Sequence, residues 1–470
     1  MGLLVASIIQ GAPASHAASI WIVDDGPATC AGVDFASIQD AVDHAAVAAG
    51  DWIRVCPGNY PETVSVTKEL RIEGPQAGVD ARTRPGGATT EATVGTTGGA
   101  FNVKVGGVTI DGFTIRGGTD PGWGVRFDPD ASGYAFVNNI VEDNGFGLYL
   151  NSDGASPTLV RRNLFKNNDR DILPAGDDDR DGNGIYSDLG LTDVEIDRNK
   201  FIGHPSNAIF LAGGAFDSTT SQLEVTISNN RLESDNSIAL INTQSALIID
   251  NVHTGSLGSA VYIGGGVQGL DIVGNVYRDG NGKGIRIAAS QLREPDPNGD
   301  IRVYDNEFVR NAQAAVDVEA RDRYSGILDA RYNWWGHRSG PSRWGNGAGQ
   351  AVSAHVNFFP WALNTDFERM AKCRNRSTRG SDIVDGTTRN DILCGGRGDD
   401  IIRGRGGNDL LIGGSGDDLI KGGGGNDALI GGVGFDLLSG GAGFDSLQGW
   451  QDDDLCLNGA DGGQAATCEN

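Results

Sequence analysis

Tyr134-Ala-Phe-Val-Asn-Asn139-Ile, Thr158-Leu-Val-Arg-Arg-Asn163-Leu-Phe and Val194-Glu-Ile-Asp-Arg-Asn199-Lys-Phe are one phrase written three times. In each, apolar residues alternate, an asparagine follows, and one or two apolar positions close the phrase. The asparagine returns at Asn230, Asn251, Asn275, Asn306 and Asn333, at intervals of 21 to 36 residues. Period-two alternation reads as strand. About nine residues after most of these asparagines comes a second short strand, as in Gly147-Leu-Tyr-Leu150, Asn207-Ala-Ile-Phe-Leu211, Ala260-Val-Tyr-Ile263 and Gly284-Ile-Arg-Ile287. No 10–15-residue amphipathic helix lies between them, which disfavours βαβ units. The phrase therefore predicts an all-β chain whose middle is a right-handed parallel β-helix. Its asparagines stack as a ladder, and its uneven spacing comes from loops inserted at the corners. A β-propeller is the alternative, but it needs four strands per repeat and a more regular period.

A stack of coils needs caps at both ends. Ser37-Ile-Gln-Asp40 is a capping-box-like helix start, and Ile38, Ala41, Val42 and Ala45 follow with helical spacing, so a short helix is expected before Trp52-Ile-Arg-Val-Cys56. Downstream, Asn333-Trp-Trp-Gly-His-Arg-Ser-Gly-Pro341 and Phe358-Phe-Pro-Trp361 bring three tryptophans together, either packed over the last coil or as a sugar-stacking platform. Asp34-Phe-Ala-Ser-Ile-Gln-Asp-Ala-Val42, with Val55-Cys-Pro-Gly-Asn-Tyr60 and Glu62, resembles the opening coil of pectate-lyase-like and pectinesterase-like β-helix proteins. The Asn-Trp-Trp-Gly element resembles the terminal coil of that superfamily. The likeness covers about residues 20–365 and implies a fold rather than an activity.

From Ser377 the period becomes nine. Asp holds the sixth place of nine successive units, at Asp382, Asp391, Asp400, Asp409, Asp418, Asp427, Asp436, Asp445 and Asp454. Gly holds the fourth place in seven of them, and the eighth is apolar, as at Ile402, Leu411, Ile420, Leu429 and Leu438. A glycine-rich six-residue turn exposes backbone carbonyls, and its closing Asp adds a hard carboxylate oxygen. Two neighbouring turns together offer the six or more oxygens that Ca²⁺ takes. The three remaining residues form a short strand over a thin core. These units resemble the RTX (haemolysin-type) calcium-binding repeat, which implies a C-terminal parallel β-roll holding several Ca²⁺ ions. Candidate ligand-turn residues are the nine Asp above with Gly395, Gly396, Gly398, Gly407, Gly413, Gly414, Gly416 and Gly425. Units from Gly395 to Ile430 fit best. Phe435 and Phe444 replace the usual fifth-place Asp or Asn, Ser446 replaces an apolar residue, and Arg389 stands where Gly is expected. Metal-coupled folding follows from the clustered carboxylates.

A second calcium candidate lies within the β-helix. Asp177-Asp-Asp179-Arg-Asp181-Gly182-Asn-Gly-Ile-Tyr-Ser-Asp188 places acids at loop positions 1, 3, 5 and 12 and Gly at 6, the logic of an EF-hand loop; a solvated acidic turn is the alternative. For catalysis, hydrolases of this fold need paired carboxylates and lyases need a base beside a carboxylate-neutralising cation. The six histidines are scattered without metal-ligand spacing. A β-helix followed by RTX repeats is similar to the plan of alginate C5-epimerases, whose Tyr-Gly-Phe-Asp-Pro-His-type motif is matched by Val125-Arg-Phe127-Asp128-Pro129-Asp130. Asp128 corresponds to the motif's Asp, whereas Asp130 replaces its His and Val125 its Tyr. With Tyr134 or Tyr149 as a stand-in for the missing Tyr, the catalytic candidates are Asp128, Asp130, Arg126 and Tyr149.

Composition agrees with this division. Of 470 residues 73 are Gly, without the every-third-residue pattern of collagen, and 62 Asp and Glu against 37 Lys and Arg give a net charge of −25. Such a chain repels nucleic acid and favours cations as partners. Past the N-terminus no apolar run is long enough to span a membrane. Residues 1–18 read as a secretory signal, although the positive n-region is missing, so the true start lies upstream or elsewhere. Six cysteines form three local sets, Cys30 with Cys56, Cys373 with Cys394 and Cys456 with Cys468, and favour disulfides among fifteen formal connectivities. The expected plan is a signal at 1–18, β-helix at 19–366, linker at 367–376, β-roll at 377–456 and C-terminal cap at 457–470. Two functions compete: a secreted enzyme acting on uronate polymers, as lyase or epimerase, and a non-catalytic, calcium-stabilised surface or matrix protein that binds extracellular polysaccharide.

Overall fold

The computed structural model describes the chain apart from residues 1–16, 27–29, 85–89, 120–121, 170–181, 214–222, 289–297, 320–323, 344, 346, 376–377, 458–463 and 469–470. The expected signal segment falls almost wholly outside the described residues. Strands from Ile20–Val23 to Val356–Asn357 form three parallel sheets of thirteen, twelve and ten strands. Within a sheet each strand pairs with its counterpart one coil away, as Ile140–Glu142 does with Leu164–Lys166. This is a parallel β-helix, and the alternation seen in the sequence sends every second side chain into its interior. One file of the core runs Ile53, Ile72, Ile110, Phe136, Val160, Ile196, Ile227, Ile248, Ile272 and Val303, aligned strand to strand and fully buried. A second file adds stacked rings, Phe165 on Phe201 at 5.0 Å and Tyr277 on Phe308 at 5.3 Å. His253 sits between Leu232 and Tyr277 in that file, and burial lowers its pKa so that it stays neutral.

The asparagine phrase sits at a tight corner. The Nδ2 of Asn163, Asn199, Asn230, Asn251, Asn275 and Asn306 each donates to the Oδ1 of the next coil's asparagine at 2.9–3.1 Å. The same Oδ1 atoms also accept the backbone N–H one coil back, and all eight ladder residues from Asn139 to Asn333 are at most 1% exposed. The ladder thus satisfies buried corner amides that no strand can reach. Asn251→Ala removes an acceptor of two donors and leaves the Ile227 carbonyl without its partner. We expect a loss of about 3 kcal/mol, read as a lower denaturation midpoint in urea.

A helix spans Ile38–Asp43 with Ser37 as N-cap, its side chain accepting from the N–H of Asp40. The carboxylate of Glu62 accepts the next two orphan amides, those of Ile38 and Gln39, at 2.9 Å each. Ile38, Ala41 and Val42 are buried, but the helix ends before Ala45, which is exposed, and Val47 takes the next core place. At the far end Trp335 stacks on Phe308 at 5.2 Å and is fully buried, and Trp361 is 2% exposed. Packing, not a sugar platform, is what these two tryptophans provide.

Beyond the β-helix, two five-stranded parallel sheets face each other. One holds Ile383–Asp385, Ile401–Gly406, Leu419–Gly424, Leu437–Ala442 and Leu455–Leu457; the other holds Ile392–Arg397, Leu410–Ser415, Ala428–Val433, Ser446–Gln451 and Gln464–Thr467. Successive nonapeptides alternate between the sheets, so each residue pairs with the one eighteen places on, as Ile402 with Ile420. The core between them is one residue per unit: Val384, Leu393, Ile402, Leu411, Ile420, Leu429, Leu438 and Leu447. Disulfides join Cys30 to Cys56, Cys373 to Cys394 and Cys456 to Cys468.

Candidate functional site

The turns of the roll carry the most distinctive chemistry. Asp400, Asp409, Asp418, Asp427 and Asp436 are at most 2% exposed. Each turns one oxygen, Oδ1, to the N–H of the Asp eighteen residues earlier, at 2.6–2.8 Å for the first four and 2.8 Å for Asp436. That bond fixes the carboxylate. The other oxygen, Oδ2, is buried with no hydrogen-bond donor in all five. A buried carboxylate oxygen without a donor is costly unless a cation meets it.

The first glycine of each unit shows what shares that space. A Cβ on Gly395, Gly404, Gly413, Gly422 or Gly431 falls 2.3–2.4 Å from Oδ2 of its own unit's Asp. The same point lies 2.4–2.8 Å from the carbonyl oxygen of the glycine eighteen residues on. Carboxylate and carbonyl oxygens from neighbouring coils therefore converge where only glycine leaves room. The fourth-place glycines Gly398, Gly407, Gly416 and Gly425 have φ between 96° and 122°, which turns the chain so that its carbonyls stack. Hard oxygens in this arrangement suit Ca²⁺. In the absence of a cation, burial raises the carboxyl pKa to about 6 at Asp409 and Asp418 and about 7 at Asp427 and Asp436.

The remaining units differ. Asp445 and Asp454 keep the Oδ1 bond, to Asp427 and Asp436. Fifth-place side chains form a separate ladder, in which Asp399, Asn408, Asp417 and Asn426 accept the N–H eighteen residues on. Phe435 and Phe444 end it, with side chains more than 60% exposed. At the start of the roll Oδ2 of Asp382 accepts the N–H of Thr378, and Oδ2 of Asp391 accepts both the N–H and the hydroxyl of Thr387. Burial alone raises the Asp391 carboxyl, but the Thr387 bonds and the Arg374 guanidinium hold it below the ordinary value.

Of the acidic loop, Asp177, Asp179 and Asp181 lie outside the described residues. Asp188 is described, and its carboxylate accepts the phenol hydroxyls of Tyr149 at 2.6 Å and Tyr186 at 3.0 Å. Those tyrosines belong to a row that the sequence reading missed. On the outer face of the twelve-stranded sheet, Arg126, Tyr149, Tyr186, Phe210, Ala239, Tyr262, Arg286 and Asp317 occupy one register position on eight successive coils. Tyr186 stacks on Phe210 at 5.3 Å, Arg126 lies 5.9 Å above the Tyr149 ring, and Arg286 lies 5.3 Å above Tyr262. Arg286 and Lys283 are paired with Glu319, and Lys283 also with Asp317. Tyr149 and Tyr186 are buried, whereas Phe210, Tyr262, Arg286 and Asp317 are partly open. The signal for this row was the second strand of each coil, but its phase became visible only with the register.

Among the four catalytic candidates the structure joins Arg126 to Tyr149, and Tyr149 to Asp188. Asp128 and Asp130 lie beyond the end of Trp123–Phe127, where Asp128 Oδ1 accepts the Asp130 N–H at 3.0 Å in a turn of their own. The backbone carbonyl of Asp128 accepts the Tyr134 hydroxyl. Chemically, Arg126 offers a cation for a carboxylate, and the Tyr149–Asp188 pair offers a phenol proton with a carboxylate beside it.

Residues 66–223 match the right handed beta helix region family, and residues 377–411, 403–438 and 430–464 match the RTX calcium-binding nonapeptide repeat. Solved structures with a similar chain path include an alginate lyase from Paenibacillus sp. (16% identity, covering 68% of this chain and 96% of that one, TM-score 0.38). They also include the A-module of Azotobacter vinelandii mannuronan C-5 epimerase AlgE6 (11% identity, 90% and 94%, TM-score 0.40). Pectate lyase Pel9A is a third (14% identity, 74% and 79%, TM-score 0.36). No curated protein matches the chain.

Proposed function

We propose that this chain, a right-handed β-helix carrying RTX calcium-binding repeats, is an extracellular protein that holds an acidic polysaccharide along its twelve-stranded sheet and folds its C-terminal roll on Ca²⁺. The row from Arg126 to Asp317 carries the first part. A linear glycan has a repeat length close to the coil-to-coil step, presents flat C–H faces to aromatic rings, and, if it is a uronan, presents carboxylates to arginine. Phe210, Tyr262 and Arg286 are partly open members of that row, Arg286 being held in place by Glu319. The three disulfides fit an oxidising compartment. The orphaned Asp oxygens carry the calcium part, with Asp400, Asp409, Asp418, Asp427 and Asp436 as carboxylate ligands and the turn carbonyls completing the sites.

Affinity electrophoresis or calorimetry with alginate, polygalacturonate and neutral dextran tests the glycan reading in saturating calcium. Binding is expected for an acidic polymer and not for dextran, and Tyr262→Ala and Arg286→Ala each weaken it about tenfold. Equal binding of dextran, or no effect of either variant, refutes it. The Arg126–Tyr149–Asp188 cluster favours a second reading, a uronan lyase or C5-epimerase. Absorbance near 232 nm reports the unsaturated product of β-elimination, and proton NMR of treated alginate reports epimerisation; both signals should vanish in Tyr149→Phe.

A further inference from the structure

The second nonapeptide, Gly386–Cys394, keeps the first glycine and the sixth-place Asp of a calcium turn, with Thr387 and Arg389 in place of its other glycines, and its carboxylate is already engaged. Asp391 Oδ1 receives the Arg374 guanidinium, and Oδ2 receives the Thr387 N–H at 2.7 Å and hydroxyl at 2.8 Å. The carboxylate has moved accordingly. A Cβ on Gly386 falls 3.1 Å from Asp391 Oδ2, against 2.3–2.4 Å for the same atom in the five following units. The carbonyl of Gly404, from the neighbouring coil, still lies 2.4 Å from that point. The carbonyl half of the site is kept and the carboxylate half is withdrawn.

Arg374 is built into this place rather than lying across it. Its backbone N–H donates to the Ile392 carbonyl at 2.7 Å, and its guanidinium also reaches the Thr387 hydroxyl at 3.2 Å. On its flanks, Cys373 is bonded to Cys394, and Asn375 brackets Cys394 with two hydrogen bonds, to its carbonyl at 2.6 Å and from its N–H at 3.0 Å.

We propose that Asp391 is not a calcium ligand because two side chains close this turn in place of an ion: Thr387 takes the Oδ2 that later turns leave for calcium, and Arg374, from the segment entering the roll, takes Oδ1, where later Asp residues accept a backbone N–H. The roll then begins with a turn that is closed at any calcium concentration. Calcium-driven folding extends from this end, from Asp400 and Asp409 onward. The inference rests on the calcium reading of those later turns.

Two measurements on the full, disulfide-intact chain test it. Native mass spectrometry after equilibration with calcium chloride counts bound ions; Asp391→Asn is expected to bind as many as wild type, whereas Asp409→Asn binds fewer. Loss of an ion in Asp391→Asn overturns the proposal. Hydrogen exchange in chelator provides the second readout. Amides of Ile392–Cys394 are expected to exchange at least tenfold more slowly than those of Leu419–Lys421, with that protection lost in Arg374→Gln and kept in Arg374→Lys. Protection unchanged in Arg374→Gln assigns it to the Cys373–Cys394 bridge and overturns the proposal. No calcium uptake by any variant is a different result, because it removes the calcium reading of the whole roll.

Discussion

At pH 8, chelation of calcium is expected to abolish the β-sheet signal of the roll beyond its first turns, residues 401–457, while leaving the β-helix intact, and returning to millimolar calcium restores it. Between its sheets the roll has one core residue per unit, and among the described residues only Leu410, Ala428 and Ile430 add full burial on the outer face of one sheet, so per unit little apolar burial opposes the repulsion of its carboxylates. The pH dependence follows from the raised carboxyls. Unfolded Asp titrates near 3.9, whereas Asp409 and Asp418 titrate at about 6 and Asp427 and Asp436 at about 7 in the calcium-free fold. A group raised on folding contributes stability that is fully present below its unfolded pKa and is lost as pH rises through its folded pKa. The calcium-free roll is therefore more ordered near pH 4 than at pH 8, losing structure mainly between pH 4 and 7. Calcium needs the same carboxylates ionised, so the calcium midpoint rises as pH falls below 7. Circular dichroism across pH in chelator, subtracted from the same series in calcium, checks both signs. A calcium-free spectrum that gained structure from pH 5 to pH 8 would contradict the burial of these carboxylates.

Gly422→Ala is expected to raise the calcium concentration needed for folding by more than tenfold, and Gly424→Ala, two residues away, to leave it within twofold. A Cβ at Gly422 meets Asp427 Oδ2 and the Gly440 carbonyl oxygen at 2.4 Å each, and neither can retreat without leaving the cluster of oxygens. A Cβ at Gly424 meets only the Arg405 carbonyl, at 4.0 Å. Both substitutions remove the same backbone freedom from the unfolded chain, so the contrast isolates the steric demand of the turn. Calcium titrations followed by circular dichroism give the two midpoints. Equal shifts would place the ligand oxygens elsewhere.

The fold was legible because its signals are short-range. Asn163 and Asn199 announce the corner they occupy, and the alternation of Val225-Thr-Ile-Ser states which side chains enter the core. Nonapeptide spacing marked the Asp ladder in the same way, since one residue identity repeats at one phase. The site was less legible where partners come from different coils. Tyr149 is a stand-in for the motif's missing Tyr in sequence terms, yet its partner is Asp188 and its register neighbours are Arg126 and Tyr186, which only interstrand pairing brings into line. Asp188 itself fits the last place of a loop motif but is engaged by two phenols. Arg374 carried no signal, because a lone arginine before a repeat acquires meaning only through contact with Asp391.

The alternation of units between two sheets imposes a parity on the roll. Each nonapeptide reverses the side on which the next turn lies, so the repeat that preserves the structure is eighteen residues, not nine. Removing Gly413–Lys421 would keep every unit in phase by sequence and still exchange the sides of all that follow. The strand Leu455–Leu457, which now follows Leu437–Ala442, would pass to the opposite sheet, and Cys456 with it. Removing Gly413–Ile430 shortens the roll by a whole turn on each side and returns each later strand to its own sheet. Such rolls should therefore lengthen and shorten by pairs of units.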